Sequence, residues 1–418
     1  MPMKADFKTS LPVSGPFPAG GNANTAEEMA KTAGENANAT AGNAKTTGGE
    51  AEIYQRFYEL LRIGLRLRLH AREALFASGR TDWPALYRLA VQQGVPGVVW
   101  DGVRMLPGAL RPPRELYRQW AGMALRMECD NRRMNKRLAE VHEVMTERLR
   151  LPYALLKGQG TAQAYPVPEH RLCGDIDLYV GRKAMRHLAP SLPHHGFVPG
   201  RRSTKHTGYN YKGVEVEFHR MAALFFDPCR ARRLRRLVGE WFPHGRAGAA
   251  LAADEAKCGR SMPVPPDWFE AAFAVVHFRS HLSLEGVGMR HLCDWYVLRH
   301  RPGFSEEAYG RAVRYLRMGR IEAAMSELSA RILEDAGGAL SADARLLEEA
   351  MRAEGDMGHY ASDAHDHSFA SSGGFFRVLF RLWRHDVRRS IRFFRFAPLE
   401  SVLTPVFRAA GYIRRLGR

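Results

Sequence analysis

Two aspartates separated by one residue, Asp175 and Asp177, alternate with Ile176, Leu178 and Val180. Successive side chains of a β-strand point to opposite faces, so this run puts both carboxylates on one side and three aliphatics on the other. Carboxylates paired in this way can hold a divalent cation through hard oxygen donors. A second alternating run, Val214-Glu-Val-Glu-Phe-His219, sets Glu215, Glu217 and His219 on one face and Val214, Val216 and Phe218 on the other. Glu217 is then a third carboxylate, with Glu215 as its alternate on the same face. His219 can hydrogen-bond a carboxylate or an acceptor group.

Something must position these acids beside a substrate. Tyr153 to Gly158 has the pattern of a short buried strand ending at a glycine, and Gly160 to Tyr165 suits the first turns of a helix. A strand, a glycine turn and a helix N-terminus together form an anion site, because free backbone N–H groups and the helix dipole point into the turn. Acids beside a phosphate-binding turn are the parts of a metal-assisted phosphoryl-transfer site. Downstream, Arg182 to Ala189 suits a helix and His195 to Val198 a strand start. Gly200 to Tyr209 is expected to be a polar, basic connection in which Lys205 and His206 either reach a triphosphate or are merely solvated.

Lys157-Gly158, then Arg171 with Gly174-Asp-Ile-Asp-Leu178, then Val216-Glu-Phe-His219, in this order and spacing, resemble the uncharacterised bacterial nucleotidyltransferases of the DNA polymerase β-like superfamily. The resemblance is specific across residues 155–219 and extends more loosely from about Ile53 to the C-terminus. It implies an α+β fold in which a small mixed β-sheet of the polymerase β-like kind is flanked by N-terminal and C-terminal helical regions. It further implies that Asp175, Asp177 and Glu217 are catalytic and ligate Mg2+, with Mn2+ as the alternative ion. Lys157, Gly158, Arg171, Gly174, Lys205 and His219 are expected at the nucleotide. The implied substrates are a nucleoside triphosphate and a hydroxyl-bearing acceptor of unknown identity. Gln159 stands where the family turn usually carries serine. Two other readings stay open: a catalytically degenerate nucleotide-binding module, and an adaptor for nucleic acid or an anionic membrane surface acting through basic segments.

The composition is compatible with each reading. Lys and Arg outnumber Asp and Glu by 62 to 44 in 418 residues, giving a formal charge of +18, which favours polyanionic partners and says nothing about fold. The five cysteines, Cys129, Cys173, Cys229, Cys258 and Cys293, are scattered and show no Cys-x-x-Cys spacing, as expected of reduced thiols in a cytoplasmic protein. No run has the ~20 apolar residues of a membrane-spanning helix.

Four regions are expected: a disordered tail over 1–50, poor in large apolar residues, a helical region over 51–150, the core over 151–240 and a helical region over 241–418. Trp120, Met123, Met127, Met134, Leu138, Val141 and Met145 recur at helical spacing and read as a packing stripe. Arg230, Arg232, Arg233, Arg235 and Arg236 read as a solvated helix face. His277 and His281, four apart between Asp267 and His300, lack the glutamate of the zinc-protease motif and read as helix histidines satisfied by their surroundings. Arg290 and Asp294, also four apart, read as an ion pair along one helix, while the family resemblance implies the alternative that they brace the nucleotide pocket. His359 to His367 is a His/Asp-rich loop with no fixed geometry. Phe375 to Arg395 interleaves aromatics with arginines and is read as packing its apolar stripe on the core.

Overall fold

The computed structural model describes residues 47–77, 81–242, 262–356 and 375–416. The first 46 residues of the expected tail, Cys258 and the His359 to His367 run lie outside them. Among the described residues, four α-helices precede the first strand: α1 (Thr47–Gly64), α2 (Trp83–Gln92), α3 (Pro96–Met105) and α4 (Arg114–Glu143). The start of α2 follows from its sequence: the Asp82 side chain accepts a hydrogen bond from the Ala85 N–H at 2.9 Å, and proline in the first turn has no N–H to leave unpaired.

Helix α4 is long enough, at 30 residues, to serve two cores. Trp120, Met123 and Met127 pack into a helical core, whereas Met134, Leu138 and Val141 pack under the sheet. The methionine stripe is therefore packing surface. The chain continues through β1 (Ala154–Leu155), the single-turn helix α5 (Gln159–Ala162), β2 (Ile176–Tyr179), α6 (Gly181–Ser191), β3 (Phe197–Arg202), β4 (His206–Tyr211), β5 (Val214–His219) and α7 (Pro228–Trp241). The strands form one mixed sheet in the order β1-β2-β5-β4-β3. Only β2 and β5 run parallel; the other neighbours are antiparallel.

Residues 200–209, expected as a connection, instead form most of a β3–β4 hairpin. The reason is that β3 is an edge strand with every residue after Phe197 exposed, so it carries no inward–outward alternation to read. Pro199, Arg201 and Arg202 suit such an edge, because proline and charge discourage another chain from pairing with it.

Past the sheet come α8 (Asp267–Leu284), α9 (Met289–Arg299), α10 (Glu306–Tyr315), α11 (Gly319–Leu333), α12 (Ala342–Glu354), α13 (Phe375–Arg392) and α14 (Pro398–Leu416). The helices before and after the sheet share one core: Phe57 and Trp120 lie in the same buried cluster as Phe278, Leu292, Leu328 and Leu347. The arginine run on α7 is only partly a solvated face. Arg232, Arg235 and Arg236 are exposed, but Arg230 is buried with Nη2 donating to Arg317 O at 3.1 Å, and Arg233 donates to Tyr315 O at 3.0 Å.

The C-terminal hairpin departs further from expectation. On α13, Leu382 is buried and Arg389 anchors the helix by donating to Leu282 O at 2.8 Å, yet Phe380, Trp383 and Ile391 are exposed. Phe394, Val402 and Phe407 continue the exposed apolar surface into α14. The helix has two apolar sides, and only one of them meets the core. No described helix is long and apolar enough to cross a membrane.

Candidate active site

The parallel pairing of β2 with β5 decides the geometry of the acids. Its register sets Ile176 beside Val216, Asp177 beside Glu217 and Leu178 beside Phe218, so matched alternation gives one oily face and one acidic face. Ile176, Leu178, Val216 and Phe218 are buried in the core under the sheet. On the other face Asp175, Asp177 and Glu217 each offer an oxygen within 4.8 Å of the others. Glu215 shares that face but is exposed and stands outside this group.

Cationic and imidazole side chains surround the acids. Lys157 Nζ lies 2.9 Å from Asp177 Oδ2, and His219 Nε2 lies 2.7 Å from Asp177 Oδ1 and 3.1 Å from Glu217 Oε2. His206 pairs with His219 across the β4–β5 ladder and contacts Glu217 through Nδ1. Its role in the cluster was not legible, because the strand that carries it was not. Burial alone would raise the Asp177 pKa, but the Lys157 ammonium and the His219 hydrogen bond hold it well below the carboxylate range. Glu217 is half-buried, which alone would raise its pKa, yet its hydrogen bonds with His206 and His219 bring it down to about 2. Asp175 goes the other way: burial and the Asp177 charge push it up to about 7. His219 is raised, since hydrogen bonds to Asp177 and Glu217 outweigh its burial.

Three carboxylates, one of them unable to ionise easily beside the others, are a donor set that fits a divalent cation: hard oxygens converge, and added positive charge would relieve Asp175. Such an ion would be held by Asp175, Asp177 and Glu217.

The glycine turn is built differently from expectation. Gly158 has φ +61°, a region costly for residues with a Cβ, and an added Cβ would sit 3.2 Å from Asp175 O. The turn therefore lies directly against the acid strand. Helix α5 is a single turn, too short for the dipole expected of it. Gln159 is buried, and its Nε2 donates to Asn131 Oδ1 at 3.0 Å. Asn131 in turn donates to Glu169 O at 2.7 Å and Arg171 O at 3.0 Å, so α4 fixes the turn and the approach to β2 together.

Arg171 was expected to balance charge at the nucleotide; it is instead committed to a buried ion pair. Its Nε and Nη2 each reach Asp294 at 2.7 Å, and Tyr165 also donates to Asp294 at 2.7 Å. The Arg171 fork reaches Gly158 O at 3.4 Å as well, so the pair braces the glycine turn from α9. This overturns the expected Arg290–Asp294 pair: Arg290 bonds Leu172 O at 3.1 Å and Asp356 at 3.0 Å. Residue spacing could not distinguish a partner on the same helix from one 123 positions away. Gly174 is exposed with open space around it, and Lys205 is half-buried.

A second brace is pH-sensitive. His170 Nδ1 lies 2.8 Å from Asp101 and Nε2 3.1 Å from Glu128, tying α3, α4 and the approach to β2 together. The fit is close: a Cβ on Gly97 would meet His170 O at 2.3 Å. Burial lowers the His170 pKa, but the Asp101 and Glu128 contacts outweigh it and leave the pKa above its ordinary 6.5. A raised folded pKa means that this contribution is complete below about pH 6.5 and is lost as pH rises through the folded value. Thermal melts should therefore show wild type losing stability relative to His170→Gln above pH 6.5; parallel profiles for the two proteins would contradict the assignment.

His277, His281 and His291 are not separately satisfied helix histidines, because one ring nitrogen from each lies within 4.8 Å of the others. His291 arrives from α9, which the spacing within α8 could not reveal. His277 and His291 line a small cavity together with Lys157, Phe273 and Asp294.

No curated protein and no solved structure matches the chain. A family model described as an uncharacterised nucleotidyltransferase matches residues 79–334, a narrower span than Ile53 to the C-terminus but more than half of the chain, and includes every acid of the site. The chain belongs to this uncharacterised nucleotidyltransferase family.

Proposed function

We propose that the protein transfers a nucleoside monophosphate from a nucleoside triphosphate to an acceptor hydroxyl, in a metal-dependent site of the polymerase β-like kind. The observation that carries this reading is the parallel register that sets Asp177 beside Glu217, with Asp175 adjoining, on the face that Lys157 and Gly158 overlook. Asp175, Asp177 and Glu217 would hold Mg2+, or Mn2+ in its place. The ion supplies charge neutralisation for the triphosphate and for the attacking oxygen.

The protein groups have separable tasks. Lys157 and the Gly158 turn face the β- and γ-phosphates, and Gly174 leaves room for them. Lys205, on the approach from β4, adds a further positive charge. Glu217, kept ionised by its two imidazole partners, accepts the hydrogen bond of the acceptor hydroxyl and orients it. His206 and His219, both on that carboxylate, adjoin the path of the departing proton. The acceptor oxygen forms its bond to the α-phosphorus as the bond to pyrophosphate breaks. Pyrophosphate release from purified protein, a nucleoside triphosphate and a fractionated cell extract tests this. Release should require both Mg2+ or Mn2+ and one acceptor fraction; nucleotide binding without release in any fraction would favour a degenerate binding module.

One observation favours an additional anionic membrane contact through α13. Arg377, Arg381, Arg384, Arg388, Arg392 and Arg395 are exposed beside the exposed Phe380, Trp383, Ile391 and Phe394, an arrangement that suits insertion between acidic headgroups. Vesicles containing phosphatidylserine should sediment the full chain in a salt-sensitive manner. The triple change Phe380→Asp, Trp383→Asp, Ile391→Asp should weaken this on the order of 100-fold or more, given roughly 1.5–3 kcal/mol for each large apolar side chain buried. Equal sedimentation of the triple variant would remove this reading and leave the catalytic one intact.

A further inference from the structure

Beside the acid site, on the α8–α9 hairpin, lies a cluster that the proposed reaction does not use. His277 and His281 sit one turn apart on α8 with their Nε2 atoms 3.0 Å from each other, and the rings of His281 and His291 are centred 4.6 Å apart. A hydrogen bond explains the first two. It does not explain the third: His291 is 3% exposed, and its Nε2 has no hydrogen-bond partner. Polar atoms buried without a partner are uncommon and call for a physical reason.

The surroundings supply one. His281 Nδ1 lies 3.2 Å from Glu285 Oε2, and His291 Nδ1 lies 3.4 Å from both Asp356 Oδ1 and the Gly288 N–H. Imidazoles that bind metal through one nitrogen usually face a carboxylate with the other, which fixes the ring and raises its basicity. Nitrogens bound tetrahedrally at 2.0–2.1 Å are separated by about 3.3 Å. The three present nitrogens lie within 4.8 Å, so small side-chain rotations would close the set.

We propose that His277, His281 and His291 bind a divalent transition metal of the zinc class, with Glu285 and Asp356 orienting two of the rings. Nitrogen ligands select such an ion over Mg2+, which separates this site chemically from the oxygen-lined one. Three histidines leave a coordination position for water or a substrate oxygen. The small cavity that His277 and His291 border is also lined by Lys157, whose Nζ lies 2.9 Å from Asp177 Oδ2.

The test uses the full chain, stripped with a chelator and titrated with Zn2+ against a chromophoric competitor in excess Mg2+. Co2+ absorption in the visible range reports coordination geometry. Wild type should bind Zn2+ and give the intense spectrum of a low-coordinate Co2+ site. His281→Gln should lose both, and Glu285→Gln, altering a largely exposed side chain that threatens the fold little, should bind Zn2+ about 10–100-fold more weakly. Glu217→Gln should bind as wild type does. Zn2+ lost in Glu217→Gln but kept in His281→Gln would place the ion on the His206–Glu217–His219 group and overturn the proposal, as would failure of wild type to bind Zn2+ at all.

Discussion

Asp175→Asn should make the metal-free protein more stable while removing its activity. The Asp175 carboxyl titrates near 7 because it is buried and faces the Asp177 charge. An unfolded aspartate gives up its proton at about 3.8, so between about 3.8 and 7 the folded chain binds more protons than the unfolded one. Stability therefore falls as pH rises through that window, and the neutral amide avoids the loss. With a chelator present, the variant should gain on the order of 1 kcal/mol above pH 7 and nothing below pH 4, read from denaturant melts. Mg2+ should stabilise wild type and leave the variant unmoved. Nucleotidyl transfer should drop by on the order of 10³-fold or more, as when preorganised transition-state charge stabilisation is lost. A merely structural aspartate would show the opposite pairing, with stability lost and activity kept.

Asp294→Ala is expected to produce the largest loss of stability. Arg171 and Asp294 make a two-pronged pair in the interior, and Tyr165 donates to the same carboxylate. Their mutual effect is visible in both groups: burial opposes each charge, yet the pair holds Asp294 below its ordinary pKa and Arg171 above its own. Removing one partner strands the other without its counter-charge, at a cost of about 3–5 kcal/mol. The same guanidinium reaches Gly158 O, so the loss should also loosen the turn beside Asp175 and raise the KM for the nucleotide. Arg171→Met combined with Asp294→Leu leaves no stranded charge and should recover much of the stability, though not the KM. Additive losses in the double variant would mean that the two side chains act independently.

What the sequence revealed and what it concealed have physical causes. The acids were legible because two strands alternate with period two and present four carboxylates and an imidazole on one face; the parallel register then brought three of those carboxylates together. His206 was hidden because its strand pairs with an exposed edge that shows no alternation. Arg171 was assigned to the nucleotide through its place in the family motif, whereas its partner lies on a helix beyond the sheet. Gln159 took the place of a phosphate-contacting serine and turned inward to Asn131, a contact that no local spacing encodes. The three histidines show the same limit: a helix reveals which residues share its face but not what the next helix brings to them. The helical regions were evident from periodicity, while their merger into a single core was not.

The central claim is that the acid face directs attack on the α-phosphorus. It is tested most directly by giving the protein a nucleoside triphosphate labelled at either the α- or the γ-phosphate, with Mg2+ and cell extract. Label from the α-position should become fixed to an acceptor and label from the γ-position should leave as pyrophosphate, with both outcomes absent in Asp175→Asn. Transfer of the γ-label to the acceptor, or α-label incorporation undiminished in Asp175→Asn, would contradict the account.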